Sequence, residues 1–128
     1  MSGELAETFL MVSDLEESTE FYEETIGLDV AKRGNDVRFD TGATELVIEE
    51  DFDEEVLAQF GLEPPGEDRG DGVITVIEVD DPDEVYERAE AHGADVVLEP
   101  RDVEWGRRMC LIADPDGYIL EVSKPLEE

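Results

Sequence analysis

Alternating apolar and polar positions divide this chain into two halves that predict the same series of elements. In the first half, the pattern predicts a strand at Thr8–Val12, a helix after Asp14 and three further short strands. In the second half, it predicts a strand at Val73–Val79, a helix after Asp81 and three more strands. The six further strands are Leu28–Lys32, Val37–Asp40, Glu45–Glu49, Val96–Leu98, Arg108–Ile112 and Tyr118–Ser123. Each half therefore predicts a β-α-β-β-β unit.

Both predicted helices carry residues typical of helix ends. Asp14 and Asp81 fit N-caps, because each is followed three residues later by a glutamate that completes a capping box. Gly27 and Gly93 suit the position just beyond the last turn, where a left-handed backbone is favoured. The halves align strand for strand, with a one-residue slip inside the helix. This agreement indicates an internal repeat.

The segment between the halves, residues 51–71, breaks the pattern. It combines many acidic residues with Pro64-Pro65 and scattered glycines, which predicts a connector with one or two helical turns around Glu54–Phe60. The chain length suits one domain. We predict a single domain over residues 1–128, made of a first module at 5–50, the acidic connector at 51–71 and a second module at 72–125.

One helix covers only one face of a four-stranded sheet, so the other face stays bare unless a second unit closes over it. The duplication therefore predicts an α+β fold with two tandem βαβββ modules. We expect curved mixed sheets that enclose a cavity, with the helices outside.

The charge of the chain is extreme for its length. It has 128 residues, of which 38 are acidic and nine basic, and its formal net charge is -29. Apolar residues still make up 40% of it and stand at periodic positions. This combination indicates a folded protein with a halophile's surface rather than a disordered acidic tail. We expect neither nucleic acid nor a membrane as a partner, because phosphate binding needs basic residues that this chain lacks.

Cysteine content indicates a reducing compartment. Cys110 is the one cysteine, so no disulfide can form within the chain, and a cytoplasmic location is expected. Cys110 stands in an apolar run, which favours a small buried hydrophobic residue over a nucleophile. We expect no signal peptide, and no apolar run approaches membrane-spanning length.

The last predicted strand carries the first candidate for chemistry. The turn Asp114–Gly117 predicts a chain reversal, and the strand that follows places Ile119, Glu121 and Ser123 on one face. A carboxylate in the middle of a strand needs solvent, a partner or a metal ion. Alternation alone leaves these three explanations for Glu121 open.

Several motifs occur in the order typical of one superfamily. They are Val12–Ser18, Phe21-Tyr22, Ile26–Leu28, Trp105-Gly106 and Asp114–Gly117. With these motifs the chain resembles the vicinal oxygen chelate superfamily, which includes glyoxalase I, bleomycin-resistance proteins and extradiol dioxygenases. The resemblance covers nearly the whole chain apart from the connector. It leaves the reaction open, because isomerisation, ring cleavage, thiol transfer and plain drug sequestration all occur on this scaffold.

The resemblance implies a divalent metal held by the first and last strands of each module. The matching positions are Glu7, Glu49 and Glu121, whereas the fourth falls on Ile74, which cannot coordinate a metal. Carboxylate ligands would favour Mn²⁺ or Mg²⁺, acting on a substrate with two neighbouring oxygens. In this interpretation Glu121 and Glu7 are the catalytic candidates, and the protein is a metal-assisted lyase, isomerase or dioxygenase.

A second interpretation has no metal, and the cavity binds an organic molecule by shape and stacking, as in sequestration of the bleomycin-resistance type. The candidate substrate-binding residues are Phe9, Met11, Val47, Trp105, Arg38 and Arg107. The first four would form walls, and the two arginines are available to an anion. Alternation does not decide which of these arginines, or the neighbouring Arg108, points inward. The resemblance also implies a homodimer.

The acidic composition leads to a prediction about salt. We expect the protein to be destabilised at low ionic strength, because its carboxylates then repel one another without screening. Thermal unfolding followed by circular dichroism, from dilute buffer to molar KCl, measures this effect, and the midpoint should rise with salt. A midpoint indifferent to KCl would refute the expectation.

Overall fold

The structure of this protein, a computed structural model, describes residues 2–126. The chain divides into two units, Met1–Gly66 and Glu67–Glu128. Each unit contains one four-stranded sheet with a helix packed against it. Within residues 2–126, none of the helices is long and apolar enough to cross a membrane.

The first unit begins with a strand and a helix, which are followed by three more strands and a short helix. Its elements are β1 (Glu7–Val12), α1 (Leu15–Glu20), a π-helical turn (Phe21–Ile26), β2 (Asp29–Arg33), β3 (Asp36–Asp40), β4 (Glu45–Glu50) and α2 (Glu54–Gln59). The strand order in the sheet is β1-β4-β3-β2, with β1 parallel to β4 and the other neighbours antiparallel. The first strand of the unit therefore lies beside the last.

The second unit repeats this arrangement. Its elements are β5 (Ile74–Glu78), α3 (Pro82–Ala91), β6 (Asp95–Val103), β7 (Arg107–Ala113) and β8 (Ile119–Pro125). The strand order is β5-β8-β7-β6, again with the first strand parallel to the last. The predicted α+β fold with two βαβββ modules and mixed sheets is confirmed. Both sheets are open, with an edge strand on each side.

The helix of the first unit contains the extra residue that the alignment of the two halves requires. Asp14 caps it, because its side chain accepts a hydrogen bond of 3.0 Å from the backbone N–H three residues on. The helix changes from α to π geometry at Phe21–Ile26 and ends at Gly27, where φ is 92°. A π-helical turn holds one residue more than an α-helical turn. It thus absorbs the slip relative to α3, which is α-helical throughout and is capped by Asp81 in the same way.

The strand β6 is longer than the sequence predicts. Alternation predicts a strand at Val96–Leu98, whereas β6 runs over Asp95–Val103 and includes Pro100. β6 is an edge strand that pairs with β7, and this pairing shifts register twice. An edge strand tolerates both bulges and the missing N–H of a proline. Pro100 therefore does not end the strand.

The core of each unit lies between its sheet and its helix, on what we call the helix face. In the first unit this face includes Leu10, Phe39 and Ile48, and in the second it includes Cys110 and Ile112, all of them buried. Burial raises the pKa of the Cys110 thiol to about 11, so the thiol stays protonated at neutral pH. Cys110 is thus a buried core residue, as the sequence predicts. The opposite side of each sheet is here called the open face.

Arg108 of β7 links α3 to the sheet of the second unit. Its guanidinium donates hydrogen bonds of 2.7 and 2.8 Å to the two carboxylate oxygens of Asp83 in α3, and one of 3.0 Å to Asp102. The bonds between Arg108 and Asp83 raise the pKa of the arginine and hold the pKa of the aspartate below its usual value. A bidentate pair of this kind fixes geometry as well as charge. Arg108 therefore has a structural role on the helix face.

Gly70 lies where the second unit passes close to the turn before β8. The residue is buried, and a Cβ at this position would overlap the carbonyl oxygen of Gly117 and lie 3.1 Å from the Cα of Tyr118. Both of these are backbone atoms, which cannot swing aside as a flexible side chain can. Gly117 itself has φ of 89°, as the predicted turn requires. The close approach of the two backbones thus depends on a glycine at position 70.

We expect Gly70→Ala to destabilise the protein by about 1–3 kcal/mol, because the added methyl group forces two backbone segments apart. Gly66→Ala is the matched control, since a Cβ at Gly66 would meet no atom within 4 Å. Urea unfolding followed by circular dichroism in molar KCl gives both free energies. Equal unfolding free energies for the two variants would show that the contact is unimportant.

Candidate functional site

The open face of the first unit carries one group of candidate residues. They belong to β1 and β4, which run parallel, and alternation places their side chains opposite the buried helix face. The register pairs Glu7 with Glu45, Phe9 with Val47 and Met11 with Glu49. Two of the three predicted metal ligands and three of the predicted wall residues therefore share this face.

Arg38 of β3 lies among carboxylates on the same face. Its Nη1 donates hydrogen bonds to Glu7 Oε1 at 3.0 Å and to Glu45 Oε1 at 3.3 Å, and its Nη2 lies 3.6 Å from Asp36 Oδ2. The side chain is only 31% exposed, so water screens these contacts incompletely. The hydrogen bond to Glu7 is the main cause of the raised pKa of Arg38. Glu7 therefore already has a cationic partner.

Glu49 and Glu7 are not neighbours in the sheet. The register places Glu7 beside Glu45, and Glu49 is four residues further along β4. At a rise of about 3.3 Å per residue, the separation along the strand is about 13 Å. That separation is too large for the two side chains to share one metal ion, because the ligand oxygens of such an ion lie only about 2.0–2.6 Å from it. The structure therefore does not bring these two predicted ligands together.

Phe9 and Phe52 form an aromatic pair in the first unit. Their ring centroids are 5.9 Å apart, with the rings inclined at 44°. Phe9 is 40% exposed and Met11 is partly exposed, whereas Val47 is fully buried. Phe9 and Met11 thus offer surface to a ligand and Val47 offers none. Sequence reasoning missed Phe52, although an isolated phenylalanine between two aspartates was a signal that the acidic segment packs there.

The open face of the second unit carries the other group of candidates. The register of its parallel strands pairs Ile74 with Ile119, Val76 with Glu121 and Glu78 with Ser123. Ile74 and Val76 on the edge strand β5 are 58% and 56% exposed. Glu121 therefore lies beside an exposed apolar edge, in the middle of its strand.

Hydrogen bonds connect Arg107, Ser123 and Glu121 on this face. Arg107 donates from Nε to Ser123 Oγ at 3.1 Å and from Nη2 to Glu78 Oε1 at 3.0 Å. Ser123 Oγ in turn donates to Glu121 Oε2 at 3.0 Å. An arginine Nε can only donate, so the single hydroxyl proton of Ser123 is directed at Glu121. A neutral hydroxyl thus orients the Glu121 carboxylate.

Trp105 and Arg108 lie away from these two groups. Trp105 is in the turn between β6 and β7, and most of its surface is exposed. Arg38 and Arg107 lie on the open faces, whereas Arg108 is held on the helix face by Asp83. Of these three arginines, a ligand on an open face could therefore contact Arg38 or Arg107 but not Arg108.

Register also shows which positions of the repeat are equivalent. Counted from the helix caps, Phe9 of β1 and Val76 of β5 occupy the same position in the two units. Phe9 pairs with Val47, and Val76 pairs with Glu121. Val47, and not Glu49, is therefore the counterpart of Glu121 in the first unit.

Three observations bear on the divalent metal that the resemblance implies. Glu7 is bonded to Arg38, Glu49 lies apart from it, and Ile74 has no ligand atom. Within residues 2–126, no group of three or more His, Cys, Asp or Glu residues is placed to hold a metal ion. The residues present therefore do not fit a metal ion shared by Glu7 and Glu49. The catalytic roles of Glu7 and Glu121 remain predictions.

The chain is similar to known proteins over most of its length. Uncharacterized protein YraH of Bacillus subtilis (strain 168) is 27% identical over 124 residues, which cover 91% of this chain and 94% of that protein. A lactoylglutathione lyase of Neisseria meningitidis serogroup A is 31% identical over 129 residues, which cover 91% of this chain and 87% of that protein. Among solved structures, a glyoxalase/bleomycin resistance protein/dioxygenase from Nocardioides has a TM-score of 0.74 at 25% identity and covers 99% of this chain and 86% of its own.

A family model agrees with these relatives. The model of the Glyoxalase/Bleomycin resistance protein/Dioxygenase superfamily matches residues 4–122, a span that runs from before β1 into β8. The matched span thus includes both βαβββ units, and the resemblance seen in the sequence motifs is confirmed. The chain belongs to the Glyoxalase/Bleomycin resistance protein/Dioxygenase superfamily.

Proposed function

We propose that this protein binds a small, partly apolar organic molecule that is neutral or positively charged. This proposal rests on the excess of carboxylates around the two arginines of the open faces. Arg38 has three acidic partners, and Arg107 is bonded to Glu78 and, through Ser123, linked to Glu121. An anionic ligand would meet repulsion at both places.

The same contacts change the role expected for the arginines. The sequence pattern made Arg38 and Arg107 available to an anion. Each has carboxylate partners of its own, so neither presents an unpaired positive charge. A guanidinium that is already bound to carboxylates is a poor receptor for another acid, because the new acid must compete with tethered ones. We therefore assign both arginines to the organisation of acidic side chains.

Apolar side chains give each open face, taken by itself, an exposed surface on which a ligand could bind. Phe9 in contact with Phe52 provides an exposed aromatic surface in the first unit, and Ile74 and Val76 provide an aliphatic one in the second. Exposed apolar groups that lie side by side often mark a binding surface. An aromatic ring near carboxylates suits a cation with an apolar body, since cation-π attraction adds to the attraction between charges.

A reaction at Glu121 is the second candidate function. Ser123 orients this carboxylate without neutralising it, which suits a general base. Two relatives are named lactoylglutathione lyase, so lactoylglutathione is the first compound to assay. We expect an enzyme of this kind to lose turnover in Glu121→Gln and to keep it in Glu104→Gln, an exposed position in the turn after β6. Absence of turnover in the wild-type protein would reject this candidate.

Membership of the family is compatible with either candidate. Its description names bleomycin resistance proteins beside dioxygenases, and one scaffold can serve both binding and catalysis. The choice therefore depends on the side chains of this chain. The homodimer implied by the resemblance and the cytoplasmic location stay predictions.

Two fluorescent probes of opposite charge test the proposed ligand class. We expect rhodamine 6G, a planar cation, to give a saturable change in fluorescence polarisation, and fluorescein, a planar anion, to bind roughly tenfold more weakly or not at all. Titration in molar KCl screens the long-range attraction exerted by a chain with a net charge of -29. The difference between the dyes then reports local contacts.

The variants Phe9→Ala and Phe60→Ala test whether rhodamine binds at the open face or elsewhere on the surface. Phe9→Ala should weaken rhodamine binding roughly tenfold through the loss of ring contacts. Phe60, which follows α2 and is exposed, is the matched control, and Phe60→Ala should leave the affinity unchanged. Equal binding of the two dyes, or equal effects of the two substitutions, would contradict the proposal.

A further inference from the structure

Three neighbouring strands of the first unit each place a carboxylate beside Arg38. The carboxylates belong to Glu7 of β1, Glu45 of β4 and Asp36 of β3. Their oxygens lie 3.0, 3.3 and 3.6 Å from the guanidinium; Glu7 and Glu45 contact Nη1, and Asp36 contacts Nη2. Neighbouring carboxylates on a partly covered surface repel one another unless a cation joins them. The cation required here is therefore supplied by the chain itself.

The contacts in this group are those of a guanidinium with carboxylates. Hard divalent ions hold carboxylate oxygens at about 2.0–2.6 Å. The two shorter contacts of Arg38 instead have lengths typical of hydrogen bonds from an arginine, and the third is a looser ion pair. An arginine also stays charged at every ordinary pH and cannot diffuse away. Its positive charge is thus always present beside Glu7.

We infer that Arg38 is the cation that serves Glu7, the position at which the resemblance implies a metal ligand. A divalent ion at Glu7 would have to compete with a positive charge that is covalently attached to the same sheet. Glu7 is then a structural partner of Arg38 and no metal ligand. Arg38 plays this part whichever organic molecule binds, so the inference does not rest on the proposed function.

The variant Arg38→Met tests this inference, because it removes the charge and keeps an unbranched apolar side chain. Without the guanidinium, the carboxylates of Glu7 and Glu45, which share its Nη1 in the wild-type protein, should recruit a divalent ion to relieve their repulsion. We expect Arg38→Met to bind one equivalent of Mn²⁺ roughly tenfold more tightly than the wild-type protein, or more. The full chain is freed of metal with EDTA and desalted, and bound Mn²⁺ is measured in molar KCl from the loss of the EPR signal of the free ion.

Arg33→Met is the matched control for the loss of one positive charge. Arg33 pairs with Glu23 at 2.8 Å and is not part of the group around Arg38, so this variant should keep the wild-type affinity for Mn²⁺. Adding Glu7→Gln to Arg38→Met should remove the gained site. The two controls distinguish a site at Glu7 from a general effect of net charge.

A measurement on the wild-type protein tests the inference without depending on how the variants fold. A stoichiometric Mn²⁺ site in the wild-type protein that is lost in Glu7→Gln would overturn the inference, because a metal would then be the partner of Glu7. An Arg38→Met protein that is folded by circular dichroism and gains no Mn²⁺ site would overturn it as well. Neither result alters the dye titrations, so the failure of this inference and that of the proposed function are distinguishable.

Discussion

A carboxylate on a partly covered sheet face is stabilised by a positive partner, and the hydrogen bond from Arg38 to Glu7 supplies one within the chain. Positive partners are scarce in a protein with 38 acidic and nine basic residues. The placement of a few arginines therefore decides the electrostatics of both units. Arg38 forms ion pairs with acidic side chains on one open face. Arg107 bonds to Ser123 on the other open face, and Arg108 links α3 to its sheet.

Glu7 and Glu121 show how two similar carboxylates come to differ. Glu7 is hydrogen-bonded directly to a guanidinium, so a metal ion would have to compete with that contact. Glu121 receives a hydrogen bond from the neutral Ser123, and Ser123 in turn accepts one from Arg107. The position of the Glu121 carboxylate is thus fixed by a neutral donor. If this protein has a catalytic carboxylate, the contacts favour Glu121.

The fold could be predicted from the sequence because its signals are local. Asp14 and Asp81 cap the helices, and the one-residue slip between the halves revealed the place of the π-helical turn, although not its geometry. The site could not be predicted, because it depends on the register between strands that are distant in sequence. Glu49 resembled a counterpart of Glu121, whereas the pairing of β1 with β4 gives that position to Val47. Alternation identifies the face on which a side chain lies but not its neighbour across the sheet.

The pairing of Arg38 with Glu7 is tested most directly by a crystal structure of the wild-type protein from crystals grown with MnCl₂, with anomalous diffraction recorded to locate the metal. We expect the guanidinium of Arg38 within hydrogen-bond distance of the Glu7 carboxylate, and no anomalous peak beside either residue. An anomalous peak bonded to Glu7, with Arg38 turned away from it, would show that a metal ion and not Arg38 is the partner of Glu7.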